Sequence, residues 1–160
     1  MPGTPLDPDA MVRRAAQELS PGAVVALGPG IPCLLPGELP PGSGVWFIAD
    51  SGVLGFHGPE TGTKTVDPEG KSVALVPGGS FTGVVDIAGI LQGGHTDLAL
   101  LQPAQVDATG DFVHWTTAAT PDLFAPGPAV DMAYGAARVV AVMPHQSAEG
   151  RPNIVGRCSL

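Results

Sequence analysis

Basic residues are scarce in this chain. Lys and Arg together number 7 against 15 Asp and Glu, giving a formal net charge of −8 at pH 7. Non-specific nucleic-acid binding draws on counterions displaced by clustered Lys and Arg, and no basic stripe is present to displace them. Nucleic acid is therefore not an expected partner. Cysteine is scarcer still, with Cys33 and Cys158 the whole complement. They lack the close spacing of a metal site and make a poor disulfide framework. A reducing cytoplasm, and no bound metal, is the expectation. Long apolar runs are missing too: none approaches the ~20 residues that span a bilayer, so no membrane association is expected. The opening "MPGTPLDPDAM" has no positive region followed by an apolar block, and shows no signal peptide.

What the chain has in excess is turn-formers. Its 23 glycines and 18 prolines make about a quarter of the residues, a share at which disorder must be considered. The hydrophobic content of 44% and a mean hydropathy of +0.25 argue the other way, because a disordered chain has too little apolar surface to offset its ordering entropy. Gly and Pro are thus expected to build turns between short buried elements. A length of 160 residues predicts a single domain over 1–160, large enough for a substantial core.

"DPDAMVRRAAQEL" reads as a helix, with Asp7 as cap, Pro8 in the first position and Pro21-Gly22 as the stop. The short continuous apolar runs "AVVAL" (23–27), "VWFIA" (45–49), "SVALV" (72–76), "DLALL" (97–101) and "VVAVM" (139–143) read as strands covered on both faces. Ser80 is placed to cap a helix in which Val84, Ala88 and Leu91 share one face, and "TGTKTVDPEGK" (61–71) reads as a surface loop. Alternating strands and helices predict an α/β domain: a mainly parallel open sheet with flanking helices. In such sheets ligands bind beyond the carboxyl ends of the strands. Three predicted strands run into "GPGIP", "ADSG" and "PGGS", small-residue loops expected to be flexible enough to meet a substrate. Asp50 sits in the second of them, and such a carboxylate either closes a turn through backbone N–H groups or does chemistry.

Taken in order, "PGAVVALGPGIPCLLP", "ADSGVLGFHGP", "PGGSFTGVVDIAGILQGGHTDLALLQPAQVDATGDFVHW", "AVDMAYGAARVVAVMPH" and "IVGRCSL" resemble the β subunit of two-subunit 3-oxoacid CoA-transferases, across about residues 11 to 160. Members of that family usually extend some tens of residues further. The resemblance implies an enzyme that binds coenzyme A as the substrate thioester, together with a small carboxylic acid or β-keto acid. It implies an α-type CoA-transferase subunit as partner, in a heterodimer or heterotetramer with the active site where the chains meet. It also implies that Asp50 stands where the family carries a glutamate nucleophile in "SENG", with Ala49 and Ser51 as altered neighbours. Substrate or CoA binding then falls to Gly28 and Gly30 of "GPGIP", to Ser51 and Gly52 beside the acid, to Gly94 of "GGH", and to Gly127. Gly127 keeps the first glycine of a pair associated with the thioester oxygen; Pro128 replaces the second and has no N–H to donate.

The departures carry a mechanistic expectation. Aspartate is one methylene shorter than glutamate, a withdrawal of roughly 1.5 Å, and a misplacement of about 1 Å can cost a hundredfold in rate. An activated aspartyl ester is also exposed to attack by the Ser51 nitrogen, which closes a five-membered imide. Asp50 is thus expected to act as a general acid/base or orienting group, in hydrolysis or decarboxylation-type carbonyl chemistry, without a covalent CoA intermediate. Genuine CoA transfer through Asp50 and a non-catalytic supporting role stay open. His57, seven residues on in the same glycine-rich turn, is either the proton partner of Asp50 or a solvent-facing side chain. Other residues have plain structural alternatives: Cys33 as a buried inert thiol, His95 at a helix end, His114 and His145 as structural or exposed, Pro128 opening a helix and Asp131 within one.

Overall fold

The computed structural model describes residues 6–40, 42–114 and 127–158. Asp7 starts the first helix as its sequence predicts: its carboxylate accepts the Ala10 amide at 2.7 Å, Pro8 follows, and α1 runs Pro8–Ala16. Arg13 and Arg14 occupy the last turn, where cations suit the helix dipole. The helix closes at Gln17, ahead of the expected Pro21-Gly22 stop.

The main sheet has six strands. β1 (Val24–Leu27), β2 (Trp46–Ala49), β5 (Leu98–Leu101) and β8 (Val139–Ala141) run parallel, while β3 (Val53–Pro59) and β4 (Val73–Phe81) add an antiparallel wing. The spatial order is β4-β3-β2-β1-β5-β8. Side chains of β1 alternate between two cores, as the strand period requires. Val25 and Leu27 pack with Val12 and Ala15 of α1 and Leu35 of α2 (Leu35–Glu38). Ala26 faces Ile87 and Leu91 of α3 (Val84–Gln92) and Ala129 and Met132 of α4 (Ala129–Gly135). Both faces are covered, which is why these strands are apolar throughout. Phe47 of β2 and Phe56 of β3 meet with ring centroids 5.8 Å apart, each contributing about 1.5–3 kcal/mol through burial.

Two expectations fail on the antiparallel wing. "GVLGFHGP" is the strand β3, with no turn beyond residue 52, and "PGGS" lies inside β4. The pairing jumps from Leu54↔Ser80 to Phe56↔Leu75, so Val76–Gly79 bulge opposite Gly55. Gly55 has φ +70, and the Trp46 ring fills the space its Cβ would take. Pro77 is tolerated because β4 is an edge strand of this sheet. The turn-formers here make a bulge and a close approach. Ser80 is consequently a strand residue and caps nothing; Gly83 holds the N-cap position of α3. Val84 and Val85 stand 74% and 85% exposed, ahead of the buried Ile87 and Leu91, so Val84 does not share the inner face.

A second, three-stranded sheet was not foreseen: β6 (Gln105–Asp107), β7 (Phe112–Val113) and β9 (Ile154–Val155), in the order β7-β6-β9. Buried Asp107 organises it. Its carboxylate accepts the Thr109 hydroxyl at 2.7 Å and the amides of Cys158, Thr109 and Asp111 at 3.0–3.1 Å. Those donors, the Thr109 hydroxyl foremost, hold its pKa down to about 2.

Candidate active site

The carboxyl ends of β1, β2, β5 and β8 share one edge, and Asp50 is the first residue beyond β2 on that edge. The chain reverses there through a four-residue turn, Ala49 to Gly52, closed by the Gly52 amide donating to the Ala49 carbonyl at 3.0 Å. The Thr82 amide then donates to the Gly52 carbonyl at 2.8 Å and ties the turn to the start of α3. Gly52 has φ +92, and its missing Cβ leaves room for the Thr82 carbonyl. Asp50 is half-buried and Ser51 exposed. Among the described residues, none donates a hydrogen bond to the Asp50 carboxylate or pairs with it. The turn is closed by backbone alone, so the acid is not needed to close it.

Next to it, "GPGIP" follows β1, whose Leu27 pairs with Ala49. This loop is held rather than flexible. The Gly28 amide donates to the Leu100 carbonyl at 2.9 Å, continuing the sheet. The Gly30 amide donates to Glu69 Oε1 at 2.7 Å, and the Ile31 amide to Gln102 Oε1 at 2.6 Å. Gly30 has φ +87, with the Gln102 side chain where a Cβ would project. Pro29 has no amide. The amides of Gly28 and Gly30 are therefore both paired within the chain, and the two glycines shape the edge beside Asp50.

His57 and Gly94 do not join Asp50. His57 pairs with Ala74 inside β3 and is exposed. Because Leu54 lies opposite Ile48, His57 is about five strand residues from Asp50, roughly 16 Å along the sheet. Its predicted role as a proton partner rested on a turn that does not exist. Gly94 follows α3 at the edge where the parallel strands begin, with Thr96 bridging Ala136 just before β5. The length of a strand, about 13 Å, separates it from the Asp50 edge. Gly127, with φ +57, precedes α4, whose N-terminal end is directed towards that edge. Pro128 is the N-cap of α4, and Asp131 accepts Gln92 Nε2 at 2.9 Å, joining α4 to α3. Ala125 and Pro126, which precede Gly127, lie outside the described residues.

Cys33 is 8% exposed, with its thiol 3.4 Å from the Gly28 carbonyl. Burial first, then the charges of Asp67 and Glu69, push its pKa up to about 12, which suits a structural thiol and not a nucleophile. His114 is half-buried, and burial lowers its pKa against an opposing hydrogen bond with the Gln102 backbone; His95 and His145 are exposed. No group of three or more His, Cys, Asp and Glu among the described residues could hold a metal ion. Likewise, no helix among them is long and apolar enough to cross a membrane.

Sequence reasoning missed Glu69 and Gln102, the two side chains that fix the Gly30–Ile31 amides. Asp67 was also missed. It is 4% exposed, and its carboxylate accepts the amides of Glu69 and Lys71, both at 2.9 Å. The Asp-Pro-Glu-Gly run was a legible signal for such an Asp-anchored turn.

The family described as Coenzyme A transferase matches residues 9–160. The chain is 35% identical over 158 residues to the beta chain of a probable coenzyme A transferase of Bacillus subtilis, covering 95% of this chain and 71% of that protein. It is 34% identical over 152 residues to one of the subunits of the 3-oxoadipate CoA-transferase of Acinetobacter baylyi, covering 92% and 70%. It is likewise 34% identical over 156 residues to one of the subunits of the Succinyl-CoA:3-ketoacid coenzyme A transferase of Helicobacter pylori, covering 95% and 74%. Among solved structures, the apoenzyme of the acyl-CoA transferase YdiF from Escherichia coli O157:H7 superposes with a TM-score of 0.65 at 17% identity. That match covers 85% of this chain but only 24% of the larger one. The decarboxylase AibA/AibB gives a TM-score of 0.59 at 21% identity, over 96% of this chain and 64% of the other. At these identities the two structures speak for the fold alone.

Proposed function

Since the chain belongs to the coenzyme A transferase family, as a relative of single subunits of its two-subunit members, we propose that it is the β-type subunit of a two-chain enzyme whose Asp50 handles an activated acyl group. The α-type partner completes the site, and the substrate is an acyl-CoA or a β-keto acid. One observation carries this reading: a half-buried carboxylate at the carboxyl edge of the parallel strands, bonded to no described residue. Acids that are not engaged structurally at such an edge are where chemistry is expected.

By resemblance, Asp50 stands at the position of the family's glutamate nucleophile. Its shorter reach, by roughly 1.5 Å, favours proton transfer over covalent attack. In thioester hydrolysis the carboxylate takes a proton from water as its oxygen adds to the carbonyl, and returns it to the departing thiolate. In decarboxylation of a β-keto acid, the protonated carboxyl delivers its proton to the carbon that CO2 leaves. Either role supplies about 10²–10⁴-fold. The names of the relatives favour a second reading, genuine CoA transfer with Asp50 as nucleophile.

The test uses the chain reconstituted with its α-type subunit. Asp50→Ala is expected to lower turnover of an acyl-CoA substrate at least a hundredfold. Hydroxylamine or borohydride trapping should leave Asp50 unmodified in the peptide spanning residues 46–59. An aspartyl-CoA adduct seen by mass spectrometry establishes the second reading instead. Full activity in Asp50→Ala overturns both and leaves a supporting subunit.

A further inference from the structure

Gly28–Gly30 is a Gly-Pro-Gly loop in which the Pro29 ring fixes one φ but no side chain can hydrogen-bond, yet it flanks the Asp50 turn on the neighbouring strand. The Gly28 amide is paired with the Leu100 carbonyl, and the rest of the loop is set from outside by two side-chain acceptors on different elements. Gln102, just beyond β5, takes the Ile31 amide at 2.6 Å, and Glu69 takes the Gly30 amide at 2.7 Å from 39 residues away. Glu69 is itself held: its amide donates to Asp67, whose buried carboxylate also accepts Lys71, while the Gly70 amide returns to the Asp67 carbonyl at 3.0 Å. A chain of contacts therefore runs from buried Asp67 through Glu69 to Gly30. Ile31 leads into a helical turn over Ile31–Leu34, where the Cys33 amide donates to the Gly30 carbonyl at 3.1 Å. Gln102 and the Cys33 amide hold that turn, and Glu69 holds the amide of Gly30 itself.

We infer that Glu69 is a positioning residue for the acyl site: its carboxylate latches the Gly28–Gly30 loop in the conformation that flanks Asp50. This rests on the reading of that edge as the active site. Glu69 is exposed, so its single bond adds little to global stability, and its effect is local. Without it, the Gly30 amide loses its acceptor and the backbone between Pro29 and Gly30 gains freedom, so that part of the loop must be reordered each time a substrate binds.

The test compares Glu69→Ala with Glu69→Gln in the reconstituted complex. Glutamine keeps an amide oxygen as acceptor, so it rescues a positioning bond. Three readouts are taken: hydrogen exchange at the Gly30 amide, the dissociation constant for acetoacetyl-CoA as the acyl probe, and the melting temperature. Glu69→Ala is expected to speed Gly30 exchange at least tenfold and to weaken probe binding about tenfold, with melting unchanged within two degrees. Glu69→Gln is expected to stay within threefold of wild type on both. Gly30 exchange at the wild-type rate in Glu69→Ala overturns the inference, as does binding unchanged within twofold. So does a glutamine variant as impaired as the alanine one. The two proposals fail separately: an inactive Asp50→Ala beside an unaffected Glu69→Ala sinks only the latch. A fully active Asp50→Ala, with Glu69→Ala impaired and rescued, sinks only the role of Asp50. A wild-type complex that neither binds acetoacetyl-CoA nor decarboxylates acetoacetate overturns both.

Discussion

Gly52→Ala tests whether the Asp50 turn is built as described. Two costs apply. The backbone at φ +92 is strained for an L side chain, at about 1–2 kcal/mol. The new Cβ also overlaps the Thr82 carbonyl, so the turn must move away from residues 82–83 and loosen the 2.8 Å bond from the Thr82 amide to the Gly52 carbonyl. That bond is worth about 0.5–1.5 kcal/mol, which brings the total to about 1.5–3.5 kcal/mol. Gly62→Ala is the control, since Gly62 has φ +88 but nothing within 4 Å of its Cβ position, and it carries the strain alone. Urea unfolding followed by tryptophan fluorescence reads both. With a slope of about 2 kcal/mol per molar, Gly52→Ala is expected to lower the midpoint by about 1–2 M and Gly62→Ala by about half as much. If Gly52→Ala is no worse than Gly62→Ala, the close approach of Thr82 to the turn is wrong, and with it the placement of α3 beside Asp50.

The remaining expectations concern two groups with displaced pKa values. Cys33, pushed up to about 12, is expected to resist iodoacetamide at pH 8 in the folded chain and to react in urea; Cys33→Ser should keep full activity, whereas a hundredfold loss would make the thiol a nucleophile. Asp107, held at about 2, is depressed relative to an unfolded aspartate near 3.9, so its contribution is complete above about pH 4 and fades as pH falls towards 2. Asp107→Asn should therefore be less stable than wild type at pH 7 and converge with it near pH 2; a urea-midpoint gap that stays constant over that range refutes the assignment.

The parallel half of the sheet was legible because packing writes itself into composition there. Val24–Leu27, Trp46–Ala49 and Leu98–Leu101 are sandwiched between helices, so every position is apolar, and a short continuous run is a strong signal. The antiparallel wing was misread because Gly and Pro were taken as turn-formers. Gly55 makes room for the Trp46 ring, and Pro77-Gly78-Gly79 form a bulge on an edge strand; neither use leaves a local mark distinct from a turn. Gly94 was named through the resemblance alone, and nothing local in "GGH" records that it follows α3 at the edge where the parallel strands begin. The Glu69–Gly30 bond spans 39 residues, a partnership no spacing rule encodes. The strands of the second sheet, two or three residues each, are shorter than any usable period.

The glycines at the site edge resembled substrate-contacting loops, yet each has a backbone account that needs no substrate. The Gly28 amide belongs to the sheet, Gly30 makes way for Gln102, and Gly52 makes way for Thr82. Pro128 loses force in the same way. As the N-cap of α4, its carbonyl accepts the Met132 amide at 3.0 Å, and a missing N–H at a helix start costs nothing. Its presence therefore does not show that an oxyanion donor has been lost, because the neighbouring amides of Gly127 and Ala129 are unaffected by it. Once these are removed, the case for altered chemistry narrows to the reach of one side chain. Asp50→Glu restores that reach without touching the backbone turn, whose bonds are made by Ala49, Gly52 and Thr82. CoA transfer that appears only in Asp50→Glu would show that the missing methylene alone withholds covalent chemistry. A glutamate variant as inactive in transfer as wild type moves the explanation to the partner chain's side of the site.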